Sequence, residues 1–185
     1  MNPRFALFGE VLLTGVLVTL ASLGLITALP AAMAGAGHLR RHINGEGGST
    51  VYADFRAALA GLPGLSAGLP LLAAVLTWNL TAGRQAGPVA FTASLLVAAL
   101  GAITVVRLAG SWRSAADPPA GSASAVRAAL RQTVSDPVGS ALIAGALLGA
   151  VAVGWMLPPL ALVTPGLLLL AALAVNRRRM PATAR

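Results

Sequence analysis

Apolar stretches of about 20 residues, the length that crosses a bilayer as a helix, recur along this chain, and arginines stand between them rather than within them. Only 10% of the residues are charged and 57% are hydrophobic. A soluble domain carries about 25% charged residues, so a water-facing shell could not be assembled from this set. A mean hydropathy of +0.81 agrees. The fold class expected is therefore all-α: a polytopic transmembrane helical bundle forming a single integral membrane domain.

Five spans are predicted, at about 11–29, 65–82, 88–106, 137–157 and 159–175. Counting the thirteen arginines on alternate sides gives a lopsided result. One face receives only Arg4 and Arg84. The other receives Arg40, Arg41, Arg56, Arg107, Arg113, Arg127, Arg131, Arg177, Arg178, Arg179 and Arg185. Excess arginine stays cytoplasmic, which puts the N-terminus outside and the C-terminus inside, in a 1 + 2 + 2 arrangement. Cleavage after the small residues Ala32-Met33-Ala34, as in a signal peptide, would strand most of the remaining arginines outside and is disfavoured. The net charge of +8 contains no lysine. Its arginines flank apolar spans, the pattern of contact with anionic headgroups rather than with nucleic acid. Arg40, Arg41, Arg56, Arg127, Arg131, Arg177, Arg178 and Arg179 are the headgroup candidates. Localisation at a plasma membrane, multi-pass, follows, and arginine-only cations with abundant Ala, Gly and Pro fit GC-rich bacterial coding.

Two short segments at the arginine-rich face, about 50–62 and 123–135, read as amphipathic arms. In the first, Val51, Phe55, Ala58 and Leu59 share a helical face, with Asp54 and Arg56 off it. In the second, Val126, Leu130 and Val134 recur every four residues beside Arg127 and Arg131, with Ser124 as the expected cap. Such arms suit the interface, apolar face toward acyl chains and arginines toward phosphates; a solvated loop packed on its neighbours is the alternative. The arms begin a weak repeat: Arg56-Ala57-Ala58-Leu59 returns as Arg127-Ala128-Ala129-Leu130 at an offset of 71 residues, and Pro88 returns as Pro159. Chance matching in an Ala/Leu-rich chain competes with duplication.

The chemistry-bearing residues are few. Absence of cysteine excludes disulfides and thiolate chemistry. His38, His42 and Glu46 are spaced by four, as metal ligands on one helix face can be. Arg40 and Arg41 beside them would repel a divalent cation, so no metal and no cofactor is expected. Asn79, following Trp78 inside the second span, is expected to form an interhelical hydrogen bond worth about 1 kcal/mol. Trp78 and Trp155 suit the outer interface. Ala141, Gly145 and Gly149 form a small-residue packing stripe, with an internal helix as its default partner. Asp136-Pro137 reads as an N-cap followed by a first-turn proline. Pro165-Gly166 should break the last span. Glu10 is expected at the outer end of the first span, balanced by Arg4 or by the helix dipole. Phosphate-cradling and nucleophile-elbow motifs are missing, and no enzymatic activity is expected.

The stretch LITALPAAMAGAGHLRRHINGE (Leu25 to Glu46), with Phe55-Arg56 after it, resembles the YesL family of small bacterial integral membrane proteins. Leu29-Pro30-Ala31 matches the family's turn after the first span, His38 to Arg41 its basic helix and Phe55-Arg56 its aromatic-basic arm. The likeness is strongest over the first third, and the Trp and Asn expected in the first span are absent. It implies a plasma-membrane protein of unknown function associated with carbohydrate import by ABC transporters, and it brings no catalytic residues. The function expected is a non-enzymatic accessory or scaffold protein, partnered by a transporter subunit or by its own copies. The alternative is a small oligomeric carrier or channel for a small solute, its path lined by Asn79, Ser94, Thr104 and Thr164.

Overall fold

The computed structural model describes residues 3–46, 50–113 and 121–178. Among the described residues the fold is all-α, with eight α-helices: α1 (Pro3–Ser22), α2 (Ala28–Asn44), α3 (Val51–Gly61), α4 (Pro63–Ala86), α5 (Pro88–Ser111), α6 (Ser122–Ser135), α7 (Pro137–Met156) and α8 (Thr164–Arg177). A 3-10 helix at Pro158–Leu162 precedes α8. By length and composition α4, α5 and α7 can each cross a membrane. Their starting points follow from proline, which pre-sets the helical φ and needs no acceptor for a missing N–H. Each of the three opens on one: Pro63, Pro88 and Pro137.

The first predicted span is corrected. Instead of one helix over 11–29, the chain turns at 23–27 and comes back. Leu25 adopts a left-handed backbone, φ 52°, a conformation L-residues avoid, and the Thr27 hydroxyl donates to the Ala21 carbonyl to close the turn. Leu29-Pro30-Ala31 is then the first turn of α2, where proline costs no hydrogen bond. The two helices lie antiparallel. A side chain at Gly35 would meet Val18 and Thr14, and His38 bonds Glu10. The start of α1 and the end of α2 are therefore at the same end of the fold.

Helix α2 is the centre. Leu29, Pro30, Ala31, Met33, Ala34, Gly35, Ala36, Gly37, Leu39 and Arg41 are all buried, against α1, α3, α5 and α8. Within lipid, apolar burial gives little drive to association, so close van der Waals contact has to supply it. The run of Ala and Gly on α2 permits that approach. A Cβ on Gly37 would sit 3.3 Å from the Trp112 ring and from Asp54 Oδ2. The tightest crossing joins α1 to α8, where Cβ atoms on Gly15 and Gly166 would fall 2.6 and 2.2 Å from the carbonyl oxygens of Val163 and Val11. The last predicted span is also interrupted: α8 starts only at Thr164, so Pro165 lies in its first turn and kinks nothing.

Helices α4 and α7 are peripheral, with few residues buried: Ser66 and Gly83 on one, Gly139 and Ile143 on the other. The expected arms exist as α3 and α6, but with different faces. Asp54 and Ala58 of α3 point inward, both fully buried, so the carboxylate expected off the packing face is on it. On α6 the small residues Ala125 and Ala129, with Thr133, face the protein, leaving Leu130 and Val134 exposed beside Arg127 and Arg131. Ser124 is not the cap of α6; that position belongs to Gly121, whose carbonyl accepts from the Ser124 hydroxyl. The order arm, helix, helix thus occurs twice, at α3–α5 and α6–α8.

Candidate functional site: the arginine-rich end

Helices α2, α5 and α8 all finish at one end of the fold, where α3 and α6 also lie, and this end collects most of the charge. Two buried ion pairs hold it. Arg41 Nη2 lies 2.5 Å from Asp54 Oδ2, tying α2 to α3, with the carboxylate fully buried. Arg107, also fully buried, lies 3.2 Å from Asp136 Oδ2 and donates to the Ser140 hydroxyl at 3.1 Å, tying α5 to α7. Asp136 caps α7 as the sequence indicates, its Oδ1 accepting from the Gly139 N–H at 3.0 Å. Asparagine caps about as well as aspartate, so Asp136→Asn should retain about 1 kcal/mol that Asp136→Ala loses. Thermal unfolding of the two variants in detergent measures that difference. A pair of equal midpoints would show that the cap contributes nothing.

A second layer is made of amides and arginines. Gly110 at the end of α5 offers its carbonyl to Arg40 Nη2 at 2.5 Å and to Asn176 Nδ2 at 3.3 Å. Asn176 also accepts from Gln132 Nε2 at 3.0 Å, which brings α6 to α8. Arg177 donates to Asn44 Oδ1, and Asn44 Nδ2 donates to Glu46 at 2.8 Å. Burial pushes the Arg40 guanidinium below its ordinary range; Arg113 and Arg177 push it the same way, with Glu46 opposing.

Several expected constellations are not assembled. His38 turns to Glu10 on α1, Glu46 is held by Asn44 and His42 is exposed, so the three do not share a centre. Among the described residues no three His, Cys, Asp or Glu side chains cluster as metal ligands. Glu10 itself lies at the arginine-rich end, not the opposite one, because the α1–α2 hairpin brings it to His38. The small-residue stripe is not packed internally: Ala141 is exposed, and a Cβ on Gly145 or Gly149 would meet nothing within 4 Å. Asn79 is exposed on α4, as are Trp78 and Trp155. Ser94 and Thr104 on α5 and Thr164 at the start of α8 each donate to the carbonyl four residues earlier. Of the headgroup candidates, Arg56, Arg127, Arg131, Arg177 and Arg178 are exposed, while Arg41 is buried in its pair with Asp54. Arg179 lies outside the described residues, as does the polar stretch at 114–120.

The sequence reading missed Arg113, Gly110 and Asn176 as a group. Their signal is positional: Gly110 and Arg113 lie at the end of α5 and Asn176 at the end of α8, and the two ends become neighbours only in the fold. On the opposite end Arg84 lies over the Phe91 ring, 5.5 Å from its centroid, a cation–π contact. No protein-family model matches this chain, and neither a curated protein nor a solved structure is significantly similar to it.

Proposed function

We propose that this chain is a non-enzymatic accessory or scaffold protein of a bacterial plasma membrane. The observation that carries the reading is the use made of its buried charges. Arg41, Asp54 and Arg107 are engaged in joining one helix to another, and the half-buried Glu10 joins α1 to α2 through His38. Meanwhile the small-residue face of α7 and most of α4 remain uncovered by the rest of the chain. The partner is a membrane protein seated on α7. The resemblance to the YesL family supports a carbohydrate ABC importer as that partner.

The orientation that goes with this reading is three helical hairpins, α1–α2, α4–α5 and α7–α8, with their open ends and the arms in the cytoplasm. The antiparallel α1–α2 pair supports both termini on that side, in place of five crossings with the N-terminus outside. It also leaves Arg84 as the sole arginine on the outer face, which strengthens the positive-inside bias.

The absence of cysteine makes single-cysteine variants clean probes. In intact cells an impermeant maleimide should label Gln85→Cys, whereas Phe5→Cys and Ser122→Cys should react only after lysis. Labelling of Phe5→Cys from outside would return the N-terminus to the exterior. For the scaffold role, purification from native membranes should co-isolate a membrane protein that Gly145→Leu with Gly149→Leu releases. Retention of no partner, with solute flux through the purified protein alone in liposomes, would overturn it.

A further inference from the structure

The convergence of α2, α5 and α8 gathers three guanidinium groups, none of them in an ion pair among the described residues. Arg40 is half-buried and anchored by one nitrogen to the Gly110 carbonyl. Arg113 follows three residues after Gly110 and is exposed, with its carbonyl 3.3 Å from where a Cβ of Gly37 would lie. Arg177 is exposed next to Asn176, which shares that Gly110 carbonyl with Arg40, and it reaches back to Asn44, one turn beyond Arg40 on α2. Three arginines therefore stand at the junction of three helix ends, with Arg40 bonded to the Gly110 carbonyl and Arg177 to Asn44. Each of Arg113 and Arg177 acts against the charge on Arg40, and Glu46 opposes them. Helix C-termini do favour cations, but only modestly, by about 0.3–1 kcal/mol at an exposed site. That effect accounts for one arginine at each end; it does not account for the half-buried Arg40 held against the charges of Arg113 and Arg177.

We propose that Arg40, Arg113 and Arg177 form a binding site for a phosphate-bearing anion at the junction of α2, α5 and α8. Guanidinium groups present planar, paired donors that match phosphate oxygens, and a bound phosphate turns the repulsion among the three into shared attraction. Arg40 is the preformed floor of the site, and the exposed pair Arg113 and Arg177 closes over the ligand. The phosphate belongs either to a lipid headgroup or to a soluble phosphate compound. This inference stands apart from the scaffold reading, since it needs no protein partner.

The test uses the full chain in neutral detergent, with thermal unfolding as readout against added phosphatidylglycerol, phosphatidylcholine and millimolar inorganic phosphate. Arg113→Gln with Arg177→Gln is the site variant, because both side chains are exposed and the Arg40 anchor is kept. Arg84→Gln removes one charge at the opposite end of the fold, where Arg84 lies over the Phe91 ring, and is the control, matched in charge to Arg113→Gln alone. The site variant should weaken ligand-induced stabilisation about tenfold or more in apparent affinity, as loss of charge-assisted hydrogen bonds does, while the control should match the parent. Stabilisation by phosphatidylglycerol alone assigns the site to a headgroup; stabilisation by inorganic phosphate as well assigns it to the phosphate itself. Equal response to phosphatidylglycerol and phosphatidylcholine, equal loss in the control variant, or no response to any of the three overturns the proposal. Circular dichroism of the unliganded variants separates misfolding from lost binding, and should Arg113→Gln with Arg177→Gln misfold, Arg113→Gln alone carries the same comparison.

Discussion

Replacing Asp54 with alanine is expected to lower stability by about 3–5 kcal/mol, the range for removing one member of a buried ion pair. The carboxylate is fully buried and the Arg41 side chain is only 10% exposed, so the arginine left behind cannot recover its hydration without opening the contact between α2 and α3. The loss belongs to the stranded charge, not to the attraction itself. Removing both charges together, with Arg41→Met and Asp54→Leu, should therefore restore most of the stability. Thermal unfolding in detergent, followed by circular dichroism, gives the three midpoints needed. A single-variant loss below about 1 kcal/mol would mean that the pair behaves as a surface one. A double variant as poor as the single would assign the loss to packing.

Gly166→Leu is the second large effect expected. Even the first carbon of a side chain would stand 2.2 Å from the Val11 carbonyl oxygen and 2.9 Å from the Gly15 nitrogen. Both obstacles are backbone, so no rotamer change relieves them and the helices must separate. Overpacking costs about 1–3 kcal/mol where side chains can yield, and this site falls at the upper end or beyond. Gly149→Leu, on the open face of α7, is the matched control and should stay within about 0.5 kcal/mol of the parent. A cysteine pair at Thr19 and Leu162, adjacent through the Thr19 hydroxyl and the Leu162 carbonyl at 2.9 Å, reports the crossing directly. Its disulfide yield should fall in Gly166→Leu and be unchanged in Gly149→Leu. An unchanged yield in both would mean that α1 and α8 tolerate separation locally.

The comparison of these two glycines shows what the sequence makes legible. Gly145 and Gly149 stand four apart on one helix, the spacing that signals a packing face, yet that face is bare. Gly15 and Gly166 lie on different helices, and nothing in a linear reading pairs them. Proline at the first helical position made the starts of α4, α5 and α7 readable to within a few residues. Leu29-Pro30-Ala31, taken as a turn from the YesL resemblance, is instead the start of α2, because a proline in a first turn and a proline in a loop look alike. The true turn, at Leu23, Gly24, Leu25, Ile26 and Thr27, is almost wholly apolar and offers a single glycine as punctuation. Its consequence was large, since one missed reversal moves Glu10 and the N-terminus to the other end of the fold.

The charges followed a similar pattern. That Asp136 would cap α7 was visible from Asp136-Pro137. Its pairing with Arg107 was not, because it depends on α5 and α7 meeting. For Asp54 the amphipathic template put the carboxylate toward solvent, whereas the protein turns it inward to meet Arg41. With only five acidic residues against thirteen arginines, the acids had little prospect of standing alone. That imbalance was the available signal.

Helix α2 is made second and completed last. A ribosome extends a chain at about 5–20 residues per second, so α2 emerges with only α1 for company, while the walls that enclose it, α5 and α8, are still untranslated. Throughout that interval its Ala- and Gly-rich surface is uncovered, and Arg41 waits for the Asp54 that follows it. A nonsense codon between α2 and α8 would leave this keystone only partly enclosed, a species that quality-control proteases should recognise and clear.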